Sequence, residues 1–580
     1  MNLSVLHNIW EMKEAPENEI MLLSQKKDVD ATIAKLLTIR DINVDNFDDF
    51  INPCFKNQMP DPHILKDCEK AVKIIADSIE NNEKITIYGD YDVDGGTSTA
   101  VFVKFLREIN ASVNFYIPNK LTEGYGPNTP AFKKLKDSGT DLLITVDCGV
   151  SAFEPIEKAE FKTIIIDHHM TEEVFPKAMA VVNPKRLDDD SGLDGIAGVG
   201  VAFLVCIALN RELEKRGFYT EIKKPNLMSL VDLVALGTVC DVMKLTDINR
   251  VFVAQGLKVL NKKTNCGLRA LCDVLEINKK IETFHLGYVF GPRINAGGRL
   301  GAPLLATELL VCEDYDEALK IAAELNDLNE TRKGIESRIC EEALEALQKD
   351  VEDGELKTNN AFVYNPDWHT GVSGIVASRL KEKFNKPAFV VSCEDGVAHG
   401  SARSVKGVDL GAIVVLAKQH GVLKDGGGHK MAAGFSCEVE KLDEFKAFLA
   451  EQIDKQTNGK EIIKTLKIDS VTSIKGANLD FLKSLELIAP FGNGNPKPKF
   501  CINDINISKT IVLTGKHIKC FLSSPYSKGS LEAIIFNAIG TKLGDFLLAK
   551  HDKPISLVGA LDKNSWNGRE SVQFMIEDAK

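Results

Sequence analysis

Several things are missing from this 580-residue chain, and each absence excludes a class of protein. No apolar run reaches the roughly 18 residues that a membrane-spanning helix needs. The opening MNLSVLHNIWEMKEAPENE has no basic stretch followed by an apolar core, so neither secretion nor a membrane partner is expected. The 13 cysteines contain no CxxC pair and follow no regular spacing. That is a pattern of reduced thiols in a cytoplasmic protein rather than of a disulfide frame or zinc knuckle. Positive charge is also short, with 71 Lys+Arg against 83 Asp+Glu and a net charge of −12. A nucleic-acid coat that relies on bulk basicity is thereby excluded, although a local basic groove is not.

What is present is 44% hydrophobic and 27% charged residues, the balance of a folded globular protein. At roughly 150 residues per domain the length suggests three to four domains. From about 71 to 185, Ile/Val/Leu-rich runs alternate with helical patterns: KITIYGD (84–90), SVNFYIP (112–118), DLLITVD (141–147), TIIIDHH (163–169) and AVVNP (180–184). Continuous apolar strands separated by helices mark βαβ units and a parallel sheet covered on both faces. Helical patterns follow to about 300. The charged, proline-free EALKIAAELNDLNETRKGIESRICEEALEAL then predicts a connecting helix over 301–350, or two helices in a hairpin. A second α/β pattern covers 351–457, with glycine-rich turns at VAHGSARS and KDGGGHKMAAG. Beyond a linker at QTNGK, the pieces KFCINDINIS, TIVLTG, HIKCFLSS, LEAIIFN, PISLVGAL and SVQFMIED predict a β-barrel of OB type over 458–580. The expected architecture is thus α/β, with two lobes at 71–300 and 351–457 joined by a long helix, a C-terminal barrel, and residues 1–70 as an N-terminal extension.

The acids are placed where chemistry is expected. Asp90, Asp92 and Asp94 follow one strand in GDYDVDGG, Asp147 ends DLLITVD, and Asp167, His168 and His169 end TIIIDHH. In an open parallel sheet, ligands bind beyond the carboxyl ends of the strands. Five acids and two histidines at one edge repel one another unless a cation neutralises them. Carboxylates with imidazole and no thiolate fit Mn²⁺ or Mg²⁺, and two such ions about 3.5–4 Å apart clamp the attacking and leaving oxygens of a phosphodiester. Taken singly, DxDxD is equally an Asp-rich turn, and Asp147 alone a turn or cap residue. A calcium loop would need a Glu that VDGGTSTAVFVK lacks. Gly95 and Gly96 would let backbone approach a phosphate, with Thr97 and Ser98 opening a helix as an anion site.

DYDVDG together with DHH resembles the DHH phosphoesterase family. LVALGTVCDV (233–242), GPRINAGGRL (291–300), WHTGVSGIVASRL (368–380), HGSARS (399–404), GGGHKMAAG (426–434) and PFGNGNPKPKF (490–500) are similar to its RecJ branch of single-strand-specific DNA exonucleases. The resemblance implies a DHH lobe, a DHHA1 lobe and an OB-type barrel, and 5′-to-3′ hydrolysis of single-stranded DNA in repair and recombination. It implies two divalent cations, Mn²⁺ or Mg²⁺, held by Asp92, Asp94, Asp147, His168 and Asp241, with Asp90 and His169 orienting ligands or the scissile phosphate. Without the resemblance, Asp241 reads as a buried helix cap. Arg293, Asn295 and Arg299 would face charge developing on the phosphorane. Ser401 and Arg403 match positions that hold the terminal 5′ phosphate, and Gly427, Gly428 and His429 match a loop closing over the cleft. Lys120 stands where an arginine is common, a point charge in place of a bidentate fork.

In the barrel, Phe491, Phe500, Phe521 and Trp566 are candidates for base stacking, with Phe500 and Phe521 equally suited to the barrel core. A helicase and a single-strand-binding protein are the implied partners, and a monomer the expected state. The rival readings are a phosphodiesterase of the same superfamily acting on short oligoribonucleotides or cyclic dinucleotides, which has no use for such a barrel, and a non-enzymatic scaffold, which has no use for intact acids. Residues 460–580 carry 17 Lys+Arg and 12 Asp+Glu, a charge of +5 that leaves −17 on the remainder. Salt-sensitive strand binding is therefore expected at the barrel and at the metal-filled cleft.

Overall fold

The computed structural model describes residues 3–124, 126–352, 359–566 and 568–580. After a short strand, β1 (Ile9–Met12), comes a five-stranded sheet of β2 (Ile85–Tyr88), β3 (Val113–Tyr116), β4 (Leu142–Val146), β5 (Lys162–Ile166) and β6 (Ala180–Val182). Its order is β3-β2-β4-β5-β6 and every pairing is parallel. All residues of β2 and β4 are buried. The unbroken runs ITIY and LLITV require this, because a strand covered by helices on both faces has no wet side for polar residues to occupy. The chain leaves β2 toward β3 on one side and returns to β4 on the other. The connections diverge there and leave a crevice at the carboxyl ends of β2 and β4.

Asp92 caps the helix Val93–Glu108 that follows β2, its carboxylate accepting the Gly95 N–H at 3.0 Å. The glycines after it serve packing rather than phosphate approach. A Cβ on Gly95 would lie 2.6 Å from the Asp90 backbone nitrogen, Gly96 faces Ala306, Thr307 and Leu310, and Thr97 and Ser98 are fully buried. The helix Leu304–Val311 covers the face expected to be an anion site.

The stretch 301–350 is not one helix. Leu304–Val311 ends before Tyr315–Glu352 begins, and the Asp314 carboxylate accepts the Glu317 N–H at 2.9 Å to start the second. That second helix has 38 residues, about 57 Å at 1.5 Å per residue. Leu325 lies in the core of the first lobe, while Ile339, Ala343 and Leu347 pack with Trp368 and Val376 of the second.

The second lobe contains β7 (Ala361–Tyr364), β8 (Ala388–Glu394), β9 (Val397–Arg403), β10 (Asp425–His429) and β11 (Ala432–Glu438), in the order β10-β11-β9-β8-β7. Only β7 and β8 run parallel. HGSARS and GGGHKMAAG, expected as turns and loops, are instead neighbouring strands. Their glycines permit the close pairing: Gly428 sits at φ +150, where a Cβ would lie 2.4 Å from the Ala432 carbonyl oxygen.

The C-terminal part adds β12 (Thr465–Ile468), β13 (Ser470–Val471), β14 (Phe500–Leu513), β15 (His517–Ser524), β16 (Ser527–Ile535), β17 (Ile555–Trp566) and β18 (Arg569–Ala579). The order β13-β14-β15-β16-β18-β17 is closed by pairing of β14 with β17 into a barrel. KFCINDINIS and TIVLTG belong to one strand. β14 shifts register between Ile502 and Ile505 and again between Ile507 and Lys509, so its start pairs with β17 and its end with β15. The first 70 residues are not a free extension. Leu23, Ile33, Leu36, Leu37 and Phe47 share one apolar core with the barrel, and β1 pairs with β12. Asn8 Nδ2 and Trp10 Nε1 donate to Asp578 at 2.8 and 2.9 Å.

Arg250 ties this unit to the first lobe. Its side chain is buried, stacks 3.7 Å from the Phe50 ring, and donates to the carbonyls of Phe50 (2.8 Å), Ile488 (3.1 Å) and Ala489 (2.6 Å). Replacing it orphans three carbonyls, at about 1–3 kcal/mol for each one left dry. In calorimetry, Arg250→Met should lower the melting temperature and split off a separate transition for the barrel with its N-terminal helices. A thermogram superimposable on wild type would show that Arg250 is no clasp.

Candidate metal centre

The crevice gathers its acids from three strand ends and one helix end. Asp90, Asp92 and Asp94 follow β2, Asp147 follows β4, and Asp167, His168 and His169 follow β5. Asp241 is the C-cap of the helix Val231–Cys240, which packs on Val93–Glu108. The Asp94 carboxylate accepts the N–H groups of Gly198 (2.7 Å) and Val199 (2.9 Å), in the first turn of Gly198–Lys215, where the helix dipole favours negative charge. Asp147 adopts φ +58, a left-handed conformation that aspartate tolerates. The residue facing it is Gly198, at which a Cβ would lie 2.6 Å from Asp147 Oδ1.

His168 carries the clearest signal for a cation. Its Nδ1 lies 3.0 Å from the Ile196 carbonyl oxygen, so that nitrogen bears the proton and Nε2 the lone pair. Nε2 faces Asp147 Oδ1 at 3.2 Å, Asp241 Oδ2 at 3.6 Å and Asp94 Oδ2 at 3.7 Å. A lone pair pointed at three carboxylates is repulsive unless positive charge lies among them. Asp147 Oδ1 and Asp241 Oδ2 are buried without a hydrogen-bond partner among the described residues. Ligand atoms come within 4.8 Å of one another in three sets: Asp94 with His168 and Asp241, Asp147 with His168 and His169, and Asp90 with Asp92 and Asp147. Asp147 and His168 each belong to two sets. Oxygen and imidazole donors without thiolate fit Mn²⁺ or Mg²⁺.

The electrostatics agree. Burial, then Asp241 and Asp92, push Asp94 well above the usual carboxylate range, and burial with Asp94, Asp92 and Asp90 does the same to Asp147. Asp241 is raised to about 7 by burial and Asp92, and burial lowers His168 to about 4, keeping it neutral. Asp167 behaves differently. Burial opposes its charge, but His169 and backbone N–H groups hold it down at about 2. Burial likewise opposes charge on His169, yet Asp167 raises it to about 9. Asp167 therefore clamps the imidazole beside the cluster: Oδ1 accepts His169 Nδ1 at 2.8 Å and Oδ2 accepts the Val150 N–H at 3.1 Å.

Two stability changes of opposite sign follow. Without metal, Asp147→Asn should be more stable than wild type, because it removes one repelling charge at a backbone conformation that asparagine also tolerates. Mn²⁺ at a hundredfold excess over its Kd should stabilise wild type by about 2.7 kcal/mol and the variant by much less. Equal Mn²⁺-induced rises in Tm for the two chains would remove Asp147 from the metal site.

The second lobe supplies a polar face. Across β9, β11 and β10, Ser401 pairs with Gly434 and Gly434 with Gly427, while Arg403 pairs with Ala432 and Ala432 with His429. Directly paired residues share a face, so Ser401, Arg403, Gly427 and His429 lie on one side of the sheet and Gly428 on the other. Arg299 ends the helix Gly291–Arg299 and donates to the Gly371 carbonyl at 2.9 Å, bridging the lobes. Burial lowers the pKa of Arg403 and the Arg299 charge lowers it further, while burial also lowers that of Arg299, opposed by Tyr91 and Asp92. Neither guanidinium has a carboxylate within ion-pair distance among the described residues.

Not every expected contact is available. Arg293 is held by Asn326 Oδ1 at 3.0 Å and the Val289 carbonyl at 2.9 Å, yet with Asn295 it still lines the cleft. Phe500 is fully buried and belongs to the barrel core, whereas Phe521 is half-buried with the Lys519 ammonium 5.3 Å from its ring. Phe491 packs partly against the barrel core. The side chains of Lys120 and Trp566 lie outside the described residues, Lys120 opening the short helix Lys120–Glu123 and Trp566 ending β17. The cleft, about 480 Å³, is also lined by Arg332 and Lys333, which no motif contains, and by Arg379, which lies in the motif at 368–380 but is not marked there as a site residue. The only sequence signal of Arg332 and Lys333 is basic residues on a helix otherwise rich in acid.

Three family profiles match in order: the DHH family N-terminal domain over 84–238, the DHHA1 domain over 358–455 and the RecJ OB domain over 468–578. The chain is 32% identical to the single-stranded-DNA-specific exonuclease RecJ of Bacillus subtilis, covering 98% of this chain and 70% of that one. It is 32% identical to the Escherichia coli RecJ over 89% and 90% of the two chains. The crystal structure of RecJ in complex with Mn²⁺ from Thermus thermophilus superposes with a TM-score of 0.81 at 25% identity, covering 99% of this chain and 79% of that one. The chain belongs to the RecJ exonucleases of the DHH family.

Proposed function

We propose that this protein hydrolyses single-stranded DNA from its 5′ end, releasing mononucleotides or short pieces in repair and recombination. The observation that carries the reading is a cluster of carboxylates around a neutral His168 in the first lobe, with Arg299 of that lobe and Arg403 of the second close to each other and neither within ion-pair distance of a carboxylate among the described residues. Asp92, Asp94, Asp147, His168 and Asp241 would hold two divalent cations, and Asp90 completes the set nearest Asp92. Mn²⁺ or Mg²⁺ bound there supplies Lewis-acid polarisation of the phosphodiester and a water of lowered pKa.

The remaining work belongs to the chain. Arg299 and Arg403, with Ser401 beside Arg403, hold a terminal phosphate by charge-assisted hydrogen bonds. His169, fixed by Asp167, places an imidazole 4.0 Å from Asp147 Oδ1 for orienting the scissile group. Arg293 and Asn295 sit further along the cleft, where charge on the phosphate needs a counter-charge. Selectivity for single strands is steric, since the space between the lobes takes one strand, and the +5 barrel segment grips the 3′ side. Duplexes then need a helicase, with a single-strand-binding protein presenting the product. Among the described residues no helix is long and apolar enough to cross a membrane. With its unpaired cysteines, a monomer working in the cytoplasm is the setting this reading assumes.

The assay offers 5′-labelled and 3′-labelled strands, with and without a 5′ phosphate, in Mn²⁺. The 5′ label should leave first. Arg403→Ala should raise KM on 5′-phosphorylated strands by roughly 10–100-fold, the worth of one charge-assisted hydrogen bond, and much less on strands ending in a hydroxyl. Release of the 3′ label first would refute the polarity, and an equal penalty on both ends would remove Arg403 from phosphate recognition.

A further inference from the structure

Two large aromatic side chains stand exposed where nothing in the fold needs them. Phe284 is 59% and Tyr288 74% exposed, and their rings stack on each other with centroids 5.3 Å apart and planes 23° apart. They lie one turn apart where the chain enters the π-helix His285–Phe290. Such adjacent exposed rings are costly in water and mark a contact surface when polar groups rim them.

Their position identifies the contact. Tyr288 lines the inter-lobe cleft together with Arg293, Arg299, Arg332, Lys333 and Arg379 against one acid, Glu336, which pairs with both Arg332 and Arg379, and the same cleft reaches Cys240, the neighbour of Asp241. On the other side of the pair, Thr283 lines a groove of about 760 Å³ between the first lobe and the barrel. Phe491 and the lysines at 258, 280 and 497 line that groove too, and Thr283 Oγ1 donates to the Phe491 carbonyl at 2.7 Å. Lys258 and Lys280 have no carboxylate within ion-pair distance among the described residues. The aromatic pair is thus a ridge between two cavities with more cations than acids in their linings, one reaching Cys240 beside Asp241 and one reaching Leu561 and Lys563 of the barrel.

We propose that Phe284 and Tyr288 form a base-stacking platform over which the strand passes from the cleft to the barrel. This rests on the exonuclease reading above and adds the route of the strand downstream of the cut. A polyanion with flat, apolar bases matches the ridge on both counts, since phosphates meet cations on either side and a base covers the rings without any sequence preference. Aliphatic side chains at these positions would cover the same area but give no stacking face.

The test uses the full chain in Mn²⁺ with 5′-phosphorylated DNA oligonucleotides whose phosphorothioate linkages keep the strand whole, carrying 2-aminopurine at a position moved stepwise from the 5′ end. Wild type should quench the fluorophore at one internal position. The F284A/Y288A variant should melt like wild type, lose that quench and bind the strand roughly tenfold more weakly, as expected for one lost stacking contact. The F284W/Y288W variant should restore both quench and affinity. A quench that persists in the alanine variant, or an unchanged affinity, overturns the platform and leaves the ridge to a protein partner. Failure of wild type both to bind single strands and to release nucleotides would instead overturn the exonuclease reading, and the platform with it.

Discussion

The whole arrangement depends on mutual repulsion among carboxylates that the fold refuses to relieve. Asp94 is tied to two backbone N–H groups, Asp147 is held in a left-handed conformation against a glycine, and His168 is locked by the Ile196 carbonyl with its lone pair inward. None of them can turn away. Buried like charges cost several kcal/mol each unless neutralised, so the folded protein stores a standing demand for cations. Two divalent ions would cancel the four negative charges of Asp92, Asp94, Asp147 and Asp241, so the substrate's phosphate meets local positive potential in place of a cluster of bare carboxylates.

Everything around the crevice either creates that demand or uses it. The parallel sheet places three strand ends beside one another because the connections diverge between β2 and β4. The helix Val231–Cys240 delivers Asp241 from a distant part of the chain. The 38-residue helix holds the second lobe at a fixed reach, so that Arg403 faces Arg299 across the cleft. The barrel is stitched to the N-terminal residues by β1 and β12 and to the first lobe by Arg250, which fixes it beside the crevice-bearing lobe.

Much of this was legible in the sequence, for physical reasons that differ by element. The strands of the first sheet announce themselves because complete burial demands unbroken apolar runs, and acids directly after such runs have one place to go. Asp241 carries no such mark, because a helix-capping aspartate looks the same with or without a metal. GGGHKMAAG looks like a loop because glycine is usually found in turns, whereas here it allows strands to pair closely. The pairing of β1 with β12, between residues near opposite ends of the chain, leaves no local pattern. Arg332 and the Phe284–Tyr288 ridge were hidden because single residues on helices become neighbours only in the folded chain, and Arg379, although inside the motif at 368–380, carries no mark there of the cleft it lines.

The central claim is that the crevice exists to hold two cations that share Asp147. An anomalous difference map from crystals of the wild-type protein soaked in Mn²⁺ tests it directly. Two peaks are predicted in the crevice, both within coordination distance of the Asp147 carboxylate, one also at His168 and Asp241 and the other at Asp92. A map with no peak among these residues, or with manganese bound only elsewhere, would contradict the account.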